Sequence, residues 1–541
     1  MKLTVTVLDT TGIQSYIFGS NRLRENIGAS YLVGQVTDAW VKQILHEEFG
    51  IEDPEASIET QDARLVYAGG GNTVLLFKSA ELAIEFTKKL SLKVLKEAPG
   101  VNLVAAHRHD FEWDKRQLYD TVQEMMKHDL DVKKRSRIPS SPLLGLGVTA
   151  DCQSTRLVAV DTSKSPEYEM PKEHAPYPIS REIGKKLQAV ILANQDLKQT
   201  IFDSKRPNPW DIPRDFDDFG RSKGEMSYIA VVHIDGNSMG KRFQEFGRGK
   251  SDPEYIACMR QLSESVKQAG MKALEIVARA VVDGIEDDVD QGGNPIKTFK
   301  KSFRIHEDKY LPFRPLVYGG DDVTFVCDGR IGLTLATRYL KEFENQEAAD
   351  GKKLTACAGV CIVKAHYPFA RAYELSEALC RSAKKIAKHD RILDNERPEP
   401  VSAIDWHIAA SGLLGDLTEI REREYRSQDN KPLEMRPLLL AGNLGDWRNW
   451  ENFKSIIKEF EGEGWKDKRN KVKALREVLR RGPAATKEFL TAYQLETLPI
   501  MPGSDHRLKS PLAEQGWLDT TCGYFDAIEA MDFYIPLEVS Q

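Results

Sequence analysis

No stretch of this 541-residue chain approaches the ~20 consecutive apolar residues of a membrane span. No signal peptide opens it: Met1-Lys2-Leu3-Thr4-Val5 passes directly into strand-like sequence, so a cytoplasmic protein with no membrane partner is expected. The seven cysteines (152, 258, 327, 357, 361, 380 and 522) include no C-x-x-C pair. Their number is odd and several sit in apolar runs, as reduced core thiols do, which argues against a disulfide framework. Cys357 and Cys361 share one face of a strand, where packing explains both. Of eleven histidines, only His107 and His109 stand close together, around Arg108 and before Asp110. No partner motif follows them, so they read as a surface pair. Basic residues are outnumbered, 76 to 82, for a net charge of −6, which excludes a global field for nucleic acid. The local basic runs (Lys133 to Arg137, Lys297 to Arg304, Lys466 to Arg481) read as solvated faces.

What the chain does have is Tyr318-Gly319-Gly320-Asp321-Asp322. Phe313 to Tyr318 and Val323 to Cys327 read as short buried strands on either side. The two glycines supply the positive φ angles of a tight hairpin and leave bare backbone for a ligand to approach. Adjacent carboxylates repel, and a divalent cation is the simplest remedy. Gly and Asp are also ordinary turn residues, so a second acid has to break the tie. Ser227 to Asp235 supplies it: a β-branched apolar run ending on Asp235, then Gly236-Asn237-Ser238-Met239-Gly240 and helix-compatible sequence. An acid at a strand end can hold a metal, while N–H groups at the following helix start face phosphates.

Between these motifs lie a long helix (about Pro253 to Val282) and a polar insertion around Gly292-Gly293-Asn294-Pro295. Beyond the hairpin come a helix (Ile331 to Glu344), a strand (Leu354 to Val363), a helix (Pro368 to Lys388) and a strand (Val401 to Trp406). This order is that of a polymerase-type palm, an antiparallel-centred sheet with helices on one face. Such a palm sets the first strand beside the hairpin and brings Asp235 to Asp321 and Asp322. Three carboxylates in an all-oxygen site suit Mg²⁺ or Mn²⁺, two ions, rather than zinc.

These motifs resemble those of the large polymerase/cyclase subunit of type III CRISPR effector complexes, and more distantly the diguanylate cyclases. The resemblance rests on Asp235 to Gly240, on Gly319-Gly320-Asp321-Asp322, on Ala358 through His366-Tyr367-Pro368-Phe369 to Ala383-Lys384-Lys385, and on Ser402-Ala403-Ile404-Asp405-Trp406. Gly12-Ile13-Gln14-Ser15-Tyr16-Ile17-Phe18, Leu23-Arg24-Glu25 and Gly28-Ala29-Ser30 resemble the opening of that family's first palm. An internal echo agrees. Leu3 to Asp9 is a strand ending in Asp before Gly12, and Leu65 to Phe77 is a hairpin with Gly69-Gly70-Gly71-Asn72 at its tip. Gly71 and Asn72 stand where Asp321 and Asp322 stand, so only the second copy should carry metal.

The expected fold is therefore α+β, with two ferredoxin-like palm domains at 1–110 and 226–410. A mixed linker domain (111–225) and a helical C-terminal domain (411–541) complete it. The linker should hold a helix (Lys115 to His128), a β-like segment (Leu143 to Val160), a helix (Ser180 to Leu197) and a loop (Pro207 to Gly220). The C-terminal domain, with Met435-Arg436-Pro437 as a turn, resembles that of the family. Many relatives carry a cysteine zinc site after the first palm; here only Cys152 stands in that region, and no zinc is expected. Many also begin with an HD nuclease domain, for which this chain leaves no room, so no nuclease is expected.

The resemblance implies a nucleotidyltransferase that makes 3′–5′ linked cyclic oligoadenylate from ATP in antiviral defence. Asp235, Asp321 and Asp322 would be the catalytic metal ligands, with the Gly236 carbonyl a further one. Strand alternation makes Asp321 and Asp322 unequal, and the analogy with the cyclases favours Asp321 as the bridging ligand. Ser238, Met239 and Gly240 would cradle phosphates, Gly319 and Gly320 would admit the nucleotide, and Lys384 would clamp the triphosphate. His233 carries no mark of a base. Two other readings stay open: an RNA-binding scaffold for guide and target RNA and other effector subunits, with cyclase activity secondary or lost, or a stand-alone cyclic dinucleotide synthase. Residues alone do not separate adenine from guanine.

Overall fold

The structure, a computed structural model, describes all residues except 70, 116, 137–144, 173, 203–208, 220–226, 389–400, 410–414, 442–446, 463, 466–467, 502–505 and 538–541. Arg137, Leu143, Leu144, Pro207, Asn208, Gly220, Gly70, Lys466 and the expected boundaries at 225/226 and 410/411 thus fall outside the described residues.

The first palm begins with β1 (Lys2–Thr11), α1 (Ile13–Phe18), α2 (Leu23–Gly34) and α3 (Trp40–Phe49). The hairpin β2 (Ala63–Gly69) and β3 (Asn72–Phe77), the crossing helix α4 (Ala80–Glu97) and β4 (Asn102–Glu112) complete a sheet of order β2-β3-β1-β4. Next come α5 (Leu118–Glu124) and α6 (Leu130–Ser136), joined by a π turn, then the two-residue strands β5 (Asp161–Thr162) and β6 (Pro178–Ile179), then α7 (Arg181–Ile201). Of the expected β-like segment, the described part before β5 holds only an isolated bridge, Asp151 to Val158.

The second palm comprises β7 (Tyr228–Gly236), α8 (Met239–Gly247) and α9 (Asp252–Asp283). A small sheet of β8 (Ile285–Val289), β9 (Pro295–Phe299) and β10 (Phe303–Arg304) precedes the hairpin β11 (Phe313–Val317) and β12 (Asp322–Asp328). Then follow α10 (Gly332–Glu344), β13 (Ala356–Lys364), α11 (Phe369–Lys388) and β14 (Ala403–Ile408). With β15 (Leu438–Leu439) these strands order as β11-β12-β7-β13-β14-β15. The polar insertion forms the small sheet of β8, β9 and β10. Its strands pair acids with bases, Asp287 opposite Lys297 and Lys300 bridged to Glu286 at 3.7 Å, which also accounts for that basic run.

The second sheet is covered on both faces, not one. Ala230, Val232 and Ile234 of β7 pack with α9 and α10, while Ile229 and Val231 pack with α11, α1 and α2. A strand buried on both sides reads as a continuous apolar run rather than an alternating one, and β7 is such a run from Ile229 to Ile234 apart from His233. α9 serves both palms. Its N-terminal residues Tyr255, Ile256 and Met259 join the core under the first sheet, and Leu262 through Val281 join that of the second. The helices after β14 share the second palm's core: Trp406 of β14 packs edge-on against Trp450, with ring centroids 6.1 Å apart.

Candidate active site

β7 and β12 run antiparallel with Asp235 directly opposite Asp322 and His233 opposite Thr324. Side chains alternate along a strand. Asp235 and His233 therefore share the face of Ile229 and Val231, and Asp322 and Thr324 share that of Val326, which is the α11 face. Asp321 takes the other parity. Its Cβ lies 2.8 Å from where a side chain on Gly236 would begin, and its backbone oxygen accepts the Gly236 N–H at 3.1 Å. The three acids do not form one ligand cluster: two face each other, and the third stands across the strand. In strand register Asp322 is the acid directly opposite Asp235. Among the described residues no group of three His, Cys, Asp or Glu side chains could hold a metal ion.

Burial and like charge show in the protonation of the two hairpin acids. Burial, then the Asp235 charge, raises the Asp322 pKa to about 8, and the same causes raise that of Asp321. The Asp322 side chain keeps 49% of its surface open, but that surface looks into a pocket. Its Oδ1 has no hydrogen-bond partner, with His233 Nδ1 at 3.4 Å. Burial lowers the His233 pKa to about 4, so its ring is neutral and no counter-charge.

The positive charge at the acids is Lys384, from the penultimate turn of α11. Its Nζ lies 2.5 Å from Asp235 Oδ2 and donates to the Gly236 carbonyl at 3.0 Å. The structure therefore places Lys384 on the acids themselves. Ser238 is the residue before α8, in the left-handed region at φ 58°, and Met239 and Gly240 open the helix. Their N–H groups precede the first intrahelical bonds, as at any helix start, and the space beside Gly240 is open. Asn237 fixes this turn: its N–H donates to the Thr355 carbonyl at 2.8 Å, and its side-chain amide donates to Thr355 Oγ1 at 3.1 Å and to the Val401 carbonyl at 3.2 Å.

At the hairpin tip only Gly319 of the glycine pair has positive φ, 97°. The tip is set by a close approach that the sequence did not announce. A side chain on Gly270 of α9 would begin 2.5 Å from the Gly320 carbonyl.

A pocket of about 690 Å³ adjoins Asp322. One wall is α11, through Ala370, Tyr373, Glu374 and Glu377; the other is the β1–α1 turn of the first palm, from Thr10 to Phe18. Phe18 and Tyr373 stack across the gap with centroids 3.7 Å apart. The first palm repeats the second in outline. Asp9 of β1 stands opposite Asn72 of β3, as Asp235 stands opposite Asp322. Asp9 is ion-paired with Lys134 of α6. The expected substitution of Gly71-Asn72 for the acid pair thus holds in register. His233, Tyr373, Glu374, Glu377, Gly270 and Lys134 carry no sequence mark of their own; only the echo between the halves could have led to Lys134.

Residues 228–393 match the family model of the Cas10/Cmr2 second palm domain. Among solved structures, a Csm1–Csm4 cassette in complex with pppApA aligns with a TM-score of 0.53 at 14% identity, over 98% of this chain and 69% of that one. The cassette in complex with cA4 aligns with a TM-score of 0.52 at 15% identity, over 98% and 69%. Csm1 from T. onnurineus gives 0.52 at 14% identity, again over 98% and 69%. At such identities the likeness is one of fold. No curated protein matches the sequence.

Proposed function

We propose, from the match of residues 228–393 to the Cas10/Cmr2 second palm domain, that the protein is a nucleotidyltransferase. It would join ATP through 3′–5′ phosphodiester bonds into cyclic oligoadenylate, as the palm subunit of a type III CRISPR effector complex in antiviral defence. The observation that carries this reading is the facing pair Asp235 and Asp322, the second of which lines a pocket walled by both palms. The cA4, pppApA and Csm4 complexes of proteins with this fold support the substrate class and the assembly with other subunits. The alternatives, a guide-RNA scaffold and a stand-alone synthase, differ in what co-purifies and in what the pure chain makes.

The residues present fit divalent ions. An unpartnered carboxylate oxygen on Asp322 and an ammonium held between the Asp235 carboxylate and the Gly236 carbonyl mark a place that calls for cations. Asp235, Asp322 and the Gly236 carbonyl would hold Mg²⁺ or Mn²⁺, and Asp321 stands across the strand from them. When bound, two such ions activate a 3′-hydroxyl and steady the pyrophosphate leaving group. The chain does the rest. The turn at Ser238, Met239 and Gly240 presents N–H groups to the phosphates. Tyr373 and Phe18 line the pocket with stacked rings, and the neutral His233 lies beside Asp322. The pocket's own acids, Asp322, Glu374 and Glu377, would repel a bare triphosphate, so substrate entry depends on cations.

Incubating the pure protein with each NTP and Mg²⁺ or Mn²⁺, followed by mass spectrometry of the products, tests the proposal. Cyclic oligoadenylate from ATP alone is expected. Asp235→Asn and Asp322→Asn should each lower the rate by roughly 10³-fold or more while the protein stays folded. Undiminished synthesis by either variant would refute the assignment.

A further inference from the structure

Lys384 does something in this structure that a triphosphate clamp need not do. Its Nζ is 2.5 Å from Asp235 Oδ2 and 3.0 Å from the Gly236 carbonyl, two oxygens a metal ion would also use. An ammonium and a divalent cation cannot share that place: both need the same lone pairs, and their charges repel. The carboxylate partner is only partly open to water and the lysine less so, at 40% and 19%, so the pair is neither buried beyond exchange nor freely solvated.

The first palm supplies an independent copy of the arrangement. Asp9 pairs across the sheet with Val104 of β4, and Asp235 with Cys357 of β13. The helix after β4 ends in α6 and carries Lys134; the helix after β13 is α11 and carries Lys384. Each lysine reaches back to the acid at the end of the first strand. In the first copy the residue opposite the acid is Asn72, so no second carboxylate faces Asp9. There the lysine is the whole answer to the charge of Asp9. In the second copy a second carboxyl group, Asp322, faces the acid, and one ammonium does not serve both.

The geometry points to Lys384 as a built-in counter-ion that occupies a cation position between Asp235 and the Gly236 carbonyl until a divalent ion displaces it. This rests on the metal-dependent reading above. Displacement sets the ammonium free beside the pocket, where the phosphates of an incoming nucleotide can take it up, so metal loading and substrate binding become linked. Without nucleotide the lysine competes with metal; with nucleotide it has another partner. The site is thereby kept from loading ions unproductively, and Asp235 keeps a counter-charge in the resting protein.

Direct Mn²⁺ binding, read by the loss of the free-ion EPR signal without nucleotide, tests this apart from catalysis. Lys384→Met keeps most of the apolar stem and removes the charge; it should bind Mn²⁺ roughly tenfold more tightly than the wild type, the scale of one lost charge-assisted hydrogen bond. Lys384→Arg, which keeps the charge, should show no such gain. Lys134→Met should leave Mn²⁺ affinity unchanged, because Asp9 faces no second acid. In Asp235→Asn/Lys384→Met the gain should vanish. If Lys384→Met binds Mn²⁺ no better than a wild type whose binding depends on Asp235, the counter-ion role is wrong and the metal site stands. An equal gain in Lys134→Met would reduce the effect to general charge removal and overturn it as well. If neither wild type nor Lys384→Met binds Mn²⁺ in an Asp235-dependent way, the metal reading itself fails.

Discussion

His407 shows how far a single side chain can depart from its ordinary chemistry. It lies on β14, fully buried, and neither ring nitrogen has a hydrogen-bond partner. Burial, reinforced by Arg436, Arg421 and Arg423, lowers its pKa from 6.5 to about 3. A depressed pKa means that the unfolded chain takes up the proton first. The stability His407 allows is complete above about pH 6.5 and is lost as pH falls towards about 3. Replacing it with leucine should flatten that part of the acid limb: thermal unfolding followed from pH 7 to 4 should show a smaller drop in Tm for His407→Leu. Parallel curves would mean another group governs the limb. Neither this behaviour nor the charge balance at Lys384 was legible from residue identities, since both depend on what packs around them. Asp235 and the hairpin acids were legible, because a strand-ending acid and a glycine-flanked pair announce their own backbone.

Among the elements, the strands and helices of the second palm fall within a few residues of where apolar runs and turn signals put them. Asp235 and Asp322 meet because β7 and β12 are neighbours, as that order of elements requires. Three things did not follow. The β8–β9–β10 sheet was hidden because charged residues in cross-strand ion pairs break up its apolar pattern, although Phe299 and Phe303 are buried in the core. The second helical layer was hidden because an all-apolar strand was assigned to a one-sided sheet. Asp321 was favoured over Asp322 by analogy, although strand parity, once the register is known, puts Asp322 on the face of Asp235. The hairpin's position depends on Gly270 of α9, where a methyl group would begin 2.5 Å from the Gly320 carbonyl. Gly270→Ala should therefore move the tip by a few tenths of an ångström or more. Its kcat should fall by about 10- to 100-fold, since small misplacements of reacting groups are costly, with far-UV CD unchanged. Wild-type kcat in a folded Gly270→Ala would show that the contact relaxes without moving the acids.

At the scale of the molecule, the pocket belongs to neither palm alone. Asp322 and α11 supply one side and the β1–α1 turn the other, while α9 lends its first turns to the core of the first palm and its remainder to the second. Asp252 at the start of α9 is buried and accepts N–H groups from Asp114 and Leu118 at 2.8 and 2.9 Å, which ties the exit of the first palm to the helix that serves both. The first palm, which has lost the acid pair, is thus retained as a wall. Phe18 is the test of that role, being 4% exposed and stacked on Tyr373 of the opposite palm. Truncation to alanine removes a buried ring and should destabilise the protein by about 3 kcal/mol. It should also raise KM for the nucleotide more than it lowers kcat, since the acids are untouched. Mn²⁺ binding at Asp235 should stay at the wild-type level. If Phe18→Ala instead abolishes Mn²⁺ binding, the first palm shapes the metal centre itself, and the division of labour between the two halves has to be redrawn.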